Sequence, residues 1–398
     1  MAHNADMNAP VNLPGRLDAL PRFASALKAI ESLKPGEPLY LVHPEKFAAA
    51  AKQFLDGFPG DVLYAVKANP HPLALTCLWN AGLRHFDTAS LGEIEAVKSL
   101  FPEANCHFMA PVRLPGQAKA AFEKHGVTDF VVDSDAELDK LLAECGNAKK
   151  LRIFVRLVAQ LGGALLEMSS KYGCRPEEAA KLLKRVRVAG AAPCLTFHVG
   201  SQCLSPFSYA QAIEIAQRTI SLSGVEIAAL DIGGGFPAAY SGQEPPPYHW
   251  YFDMIKEALN SLNRPDLNVM CEPGRALCAP GISLVAQVVM RRGDRLYLND
   301  GIYGSFDEQR FAGFDEDYPP SGITLDAKGK AKLLSGEKRP FRAYGPTCDS
   351  ADVLPRPVML ANGIANGDYI LFEAMGAYTV SSRSPFNGYY PDSWAVIG

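Results

Sequence analysis

Residues 129–145, DFVVDSDAELDKLLAEC, decide the fold. A short β-prone run, Asp129–Asp133, hands over at Ser134-Asp135 to a stretch whose apolar residues Leu138, Leu141 and Leu142 recur at helical spacing. Outward from it the same strand-then-helix unit repeats. Runs of the first kind lie at 62–66 (VLYAV), 83–87 (LRHFD), 106–110 (CHFMA), 152–157 (RIFVRL), 194–199 (CLTFHV), 228–232 (AALDI) and 268–272 (NVMCE), and with 129–133 they make eight strands. Between them fall LGEIEAVKSLF (91–101), PEEAAKLLKRVRVAG (176–190) and YFDMIKEALNSL (251–262). Several helical stretches open on Asp, Ser or Pro and one closes on Gly190. Repeated alternation of this kind predicts a closed (β/α)8 barrel over 45–280.

After about residue 280 the texture changes. ISLVAQVVM (282–290), RLYLND (295–300), DYILFEA (368–374) and GAYTVSS (376–382) follow one another with turn-rich loops, which predicts a β domain over 281–398. The segment 1–44, with PLYLV at 38–42, is expected to add an edge strand to it. SGQEPPPYH (241–249) reads as an exposed loop.

Charge and composition exclude several classes of function. With 39 Lys+Arg against 43 Asp+Glu and a net charge of −4, the chain has no basic field for nucleic acid. Nowhere do 18 apolar residues run without a charge, and the first residues lack the apolar core of a signal peptide, so no membrane role and a cytoplasmic location are expected. The nine cysteines (77, 106, 145, 174, 194, 203, 271, 278 and 348) are odd in number and never spaced C-x-x-C. Free thiols are expected, with no metal site.

Chemistry in such barrels sits at the C-terminal ends of the strands. Lys67, Asp87, Arg156, His198, Gly233-Gly234-Gly235 and Glu272 all fall there. Singly, each has a plain structural explanation: a solvated strand end, a helix cap, a core histidine, a tight turn. Six at one end outweigh that. An apolar strand leading into Lys67 is expected to desolvate the ammonium, lower its pKa and free an amine for Schiff-base chemistry. DIGGGFP offers side-chain-free backbone to a phosphate and EPGR a guanidinium. A glycine-rich turn alone is a weak signal. Glu272 adds a carboxylate of the kind that keeps a pyridine nitrogen protonated, and the combination describes pyridoxal 5'-phosphate.

YAVKAN, FDTASLGE, SSKYG, HVGSQ, DIGGGFP, EPGR, GPTCDSADVL and GAYTVSSRSPFNG resemble, in order, motifs of the fold-type III, alanine-racemase-like decarboxylases that include ornithine and diaminopimelate decarboxylases. The resemblance spans nearly all of the chain beyond residue 35. It implies that Lys67 is the Schiff-base lysine, that His198 stacks on the pyridine ring and that Glu272 pairs with its nitrogen. Ser201, Gly234, Gly235, Gly274, Arg275 and Tyr378 would hold the phosphate, with Asp87, Glu93 and Arg156 behind them. Cys348 and Asp349 would reach the active site of the other subunit of a homodimer, with Cys348 protonating the substrate carbon after CO2 leaves. By itself a cysteine is more often inert packing. Phe386 and Asn387 would shape the same region.

CDSAD looks like the ornithine or lysine decarboxylase version of its motif. Two departures point elsewhere. The acidic residue that binds a distal ammonium in ornithine decarboxylases aligns with Ala312, with Arg310 nearby, and Arg383 stands where small or apolar residues are usual. Two guanidiniums suit an anionic distal group, as in citryl-diaminopropionate or citryl-serine conjugates of siderophore pathways. Against this, either arginine could face solvent or pair with Asp307, Glu308 or Asp315. The alternatives are an ornithine/lysine decarboxylase of polyamine biosynthesis and, less favoured, a diaminopimelate decarboxylase, a racemase or a non-catalytic cofactor-binding regulator. Racemases of this group tend to place an arginine where Glu272 stands.

Overall fold

The structure, a computed structural model, describes residues 16–159, 164–166, 171–310 and 318–398. Eight parallel strands close into a barrel: Asp61–Ala65, His85–Thr88, Asn105–Phe108, Asp129–Val132, Arg152–Leu157, Ala192–Phe197, Ala229–Asp231 and Asn268–Cys271. All eight expected runs are there. Period-two alternation explains how one strand serves two layers. Leu63, Val131, Phe154, Cys194, Ala229 and Met270 meet inside the barrel with Met109, while Tyr64, Phe86, Phe130, Ile153, Leu195 and Leu230 turn outward onto the helices.

Local chemistry sets the helix ends. Ser90 and Ser134 accept the N–H groups of Glu93 and Glu137, capping Leu91–Leu100 and Asp135–Cys145. Gly146 stops the second of these in the left-handed region, at φ 63°. Among the described residues the eighth strand is followed by the short helical turn Arg275–Cys278 and not by a long helix; the helix Pro44–Gly57, which precedes the first strand, packs there against Pro72–Asn80 and Tyr248–Asn260. No helix among the described residues is long and apolar enough to cross a membrane.

The second unit is a ten-stranded sheet. Its spine runs Arg22–Phe23, Ser393–Ile397, Leu39–Val42, Ile282–Arg292, Arg295–Leu298, Lys338–Tyr344 and Val358–Ala361. Here one expectation is corrected: Leu39–Val42 is not an edge. It lies inside the sheet, parallel to Ser393–Ile397 and antiparallel to Ile282–Arg292, with all four residues buried. A strand fully apolar on both faces belongs in a sheet interior, and its neighbours come from the far end of the chain.

Candidate active site

Three strand ends are knitted together at the mouth of the barrel. The Glu272 amide donates to the Gly233 carbonyl at 2.9 Å, and the Ala65 amide donates to the Pro273 carbonyl at 3.2 Å. Lys67 sits in the 3-10 turn Val66–Ala68 that ends the first strand, with Nζ 3.2 Å from Asp87 Oδ2. Asp87 and Glu272 are buried. The expected desolvation of Lys67 is real and pulls its pKa down, but the charges of Asp87 and Glu272 outweigh it, and the net shift is upward. The sequence expectation of a freed amine is thus reversed in the chain alone.

His198 follows the sixth strand, and its Nδ1 accepts the Gly200 N–H at 2.9 Å. Burial, then the positive charges of Arg156 and Lys67, push its pKa well below the ordinary value. The ring is neutral, with the remaining proton on Nε2. Asp231, at the end of the seventh strand, accepts the Gly233 N–H at 2.9 Å and the Thr196 hydroxyl at 2.7 Å. Burial raises Asp231 to about 6, and burial beside Asp231 and Asp87 raises Glu272 well above a normal carboxyl. Asp231 was not among the expected site residues; it is the first residue of DIGGGFP, and its position before the glycines was the available signal.

Arg275 is buried and sits at the start of its turn. Its Nη1 donates to Glu308 Oε2 and to the Tyr240 hydroxyl, both at 2.9 Å, and its Nη2 donates to Glu308 Oε1 and, at 3.4 Å, to Ser201 Oγ. The guanidinium carbon stands 4.9 Å from the Tyr378 ring centre. Tyr378 has φ 56°, unusual for a bulky residue, and is held there by its amide donating to the Ala68 carbonyl at 2.8 Å. Glu93 serves the helix cap, accepting the Ala89 N–H at 2.7 Å. Arg156 lies in the fifth strand with its guanidinium carbon 5.8 Å from the Tyr172 ring centre.

These residues fit pyridoxal phosphate. Among the described residues no acceptor takes the Gly234 or Gly235 amide, and a Cβ on either would overlap a backbone carbonyl, of Glu272 and Gly200 respectively. Bare amides beside Ser201, Gly274 and the Arg275 side chain suit a phosphate. Glu272 is buried, hydrogen-bonded to Asp231 and close to Asp87 and Lys67, and a protonated ring nitrogen would add a cation to this group of carboxylates.

Other expected residues gather elsewhere. Cys348 is exposed, its amide and thiol donating to Asn387 Oδ1 at 3.1 and 3.3 Å. Asp349 accepts the Tyr303 hydroxyl, which lowers its pKa, and the Tyr303 ring lies 4.5 Å from that of Phe386. Among the described residues no hydrogen bond ties this cluster to Lys67. Arg383 is corrected more sharply. Its side chain is 2% exposed, donating to the Pro391 carbonyl and to Asp392 Oδ1 at 3.1 Å, with the Tyr390 ring centre 4.3 Å away. It packs inside the β domain, with no fork left for a substrate. Arg310 pairs with Asp307 at 2.5 Å, and Glu308 belongs to Arg275. Ala312 and Asp315, like Ser169 and Ser170 of SSKYG, lie outside the described residues.

Comparison with known proteins agrees with this geometry. Residues 44–279 match the family described as pyridoxal-dependent decarboxylase, pyridoxal binding domain. The chain is 36% identical over 338 residues to a lysine/ornithine decarboxylase of Selenomonas ruminantium, covering 83% of this chain and 81% of that protein. It is 31% identical over 357 residues to an ornithine decarboxylase of Panagrellus redivivus, covering 82% and 77%. Among solved structures, a lysine/ornithine decarboxylase of Vibrio vulnificus complexed with putrescine superposes with TM-score 0.80 at 31% identity, over 94% of this chain and 99% of the other. An arginine decarboxylase of Paramecium bursaria Chlorella virus bound to agmatine gives 0.79 at 25% identity, over 93% and 98%.

Proposed function

Because the chain belongs to the pyridoxal-dependent decarboxylases, we propose that it removes the α-carboxylate of an L-amino acid whose side chain ends in a cation, the ornithine/lysine class. The observation that carries the reaction is Lys67 Nζ at the barrel mouth, 3.2 Å from Asp87 and flanked by His198 and Glu272. Bound pyridoxal phosphate supplies a conjugated ring that accepts the electron pair left at Cα when CO2 departs. Lys67 would hold it through Nζ. The neutral His198 ring suits stacking without adding charge, and Glu272 would keep a proton on the ring nitrogen. Ser201, Arg275, Tyr378 and the Gly234 and Gly235 amides would take the phosphate.

In this reading 45–280 is the cofactor barrel, and 281–398 with the segment before it is the β domain that completes a partner's site. Supporting this, Cys348, Asp349 and Phe386 form one surface cluster, with Tyr389 45% exposed beside them. Cys348 would deliver the proton to Cα, its thiol aimed by Asn387. Asp349, kept ionised by Tyr303, would receive the distal ammonium. The relatives named for lysine, ornithine and arginine support a cationic distal group.

A second reading keeps one observation in its favour. Arg310 is half-exposed, its guanidinium carbon 5.6 Å from the Tyr303 ring centre, and a distal carboxylate that displaced Asp307 would find it there. CO2 release measured across ornithine, lysine, arginine, diaminopimelate and citryl-amino-acid conjugates tests both. Turnover of a basic amino acid supports the first, and turnover of the citryl conjugates alone overturns it in favour of the second.

A further inference from the structure

The pair Arg275–Glu308 is buried on both sides, with side chains 3% and 4% exposed. Its geometry is fork on fork, and Glu308 Oε2 also accepts the Tyr318 hydroxyl at 3.4 Å. Two consequences follow. The carboxylate fixes the guanidinium in one plane, against the Tyr378 ring and toward Ser201. It also neutralises that guanidinium from within the chain, so an incoming phosphate meets a cation already matched by a buried anion. Screening by water is weak at such a site.

We propose that Glu308 is a positioning residue for cofactor binding: it aims Arg275 at the phosphate and, by its own charge, holds the affinity for that phosphate below what the same donors would give without it. This rests on reading Arg275, Ser201 and Tyr378 as the phosphate side of the site. The sequence reading met Glu308 only as a partner for Arg310 or Arg383. The structure gives it to a different arginine. A carboxylate that served only to fill space would not answer to the charge of the ligand.

The test is titration of the cofactor-free protein with pyridoxal phosphate, followed by absorbance, for wild type, Glu308→Gln and Glu308→Asp. Glu308→Gln keeps the shape and one acceptor but removes the charge, and the dissociation constant should fall about tenfold. Glu308→Asp keeps the charge but draws it out of the fork, and the constant should rise threefold or more. Neither variant should change the affinity for pyridoxal, which has no phosphate. Unchanged or weaker pyridoxal phosphate binding by a folded Glu308→Gln overturns the inference, as does an equal gain for pyridoxal. Should the Gln variant fail to fold, Glu308→Asp decides: binding as tight as wild type sinks it. Failure of wild type to bind pyridoxal phosphate at all would instead overturn the functional reading beneath it.

Discussion

Asn69 Nδ2 donates to the Gly376 carbonyl at 2.8 Å, and this bond ties the turn that carries Lys67 to the loop that carries Tyr378. Asn69 Oδ1 also accepts the His71 N–H at 3.0 Å, and the whole side chain is buried. Asn69→Ala leaves two buried backbone groups without a partner, at roughly 1–3 kcal/mol each. Denaturant unfolding of the cofactor-free variant should show a loss of about 2–6 kcal/mol. Cofactor affinity should fall with it, because Tyr378 hangs from the same loop. Full stability in that variant would mean that the junction is held by other contacts.

Gly376 itself admits no substitute. A Cβ there would overlap the Cys278 carbonyl, and backbone cannot swing aside as a flexible side chain can. Gly376→Ala should fail to accumulate as folded protein, or melt far below wild type in a thermal scan. A wild-type melting curve would contradict the closeness of these two chain segments.

Asp231 sets a pH dependence whose sign is opposite to that of a salt-bridged carboxylate. Its pKa is raised from 3.8 to about 6 by burial, so the folded chain holds a proton that the unfolded chain releases. The associated stability is complete below pH 4 and is lost as pH rises through about 6. Asp231→Asn keeps an acceptor for Gly233, removes one of the two buried titrating carboxyls and leaves Glu272 with one anionic neighbour fewer. At pH 8 the cofactor-free variant should be more stable than wild type, and toward pH 4 the gap should close. A difference independent of pH would show that Asp231 is not the group responsible.

Much of this architecture was legible because barrel strands and their helices are local: Phe130 and Leu138 declare their periods within a few residues of themselves. The polar residues at strand ends were legible for the same reason, since a strand's end and the barrel's mouth coincide. What escaped depends on pairs far apart in the chain. Arg383 reads as a stray cation until Asp392 and the carbonyl of Pro391 fold over it, with Tyr40, 343 residues earlier, below. The direction of the Lys67 shift could not be had from its apolar strand either, since the sign turns on carboxylates at 87 and 272.

Thiol chemistry separates the one exposed cysteine from the rest. Of nine cysteines, eight are buried, and Cys348 lies open on the surface. A disulfide reagent should therefore titrate a single thiol in the native protein and nine after denaturation, with the fast one missing in Cys348→Ser. If Cys348 completes a partner's site, its labelling should also slow as protein concentration rises. Rapid labelling of several thiols would contradict the burial pattern, and a rate indifferent to concentration would count against the shared site.

The two arginines of the β domain should part company under mutation. Arg383 is buried and donates to the Pro391 carbonyl and to Asp392, which is 23% exposed and keeps the Trp394 indole N–H, so Arg383→Ala removes a packed guanidinium and one donor and should cost about 1–3 kcal/mol. Its effect on the surviving folded enzyme should fall equally on all substrates. Arg310 is 45% exposed and, among the described residues, pairs with Asp307, so its removal should change stability by no more than about 1 kcal/mol. Its effect belongs to KM, and its sign identifies the substrate. Removing a cation from beside Tyr303 and Asp349 should lower KM for a diamine precursor and raise it for an acid-tailed one. Steady-state kinetics of Arg310→Ala with lysine and a citryl conjugate reads that sign directly. A variant that leaves KM unchanged for both would show that Arg310 faces away from the bound side chain, and the choice between cationic and anionic substrates would rest on Asp349 alone.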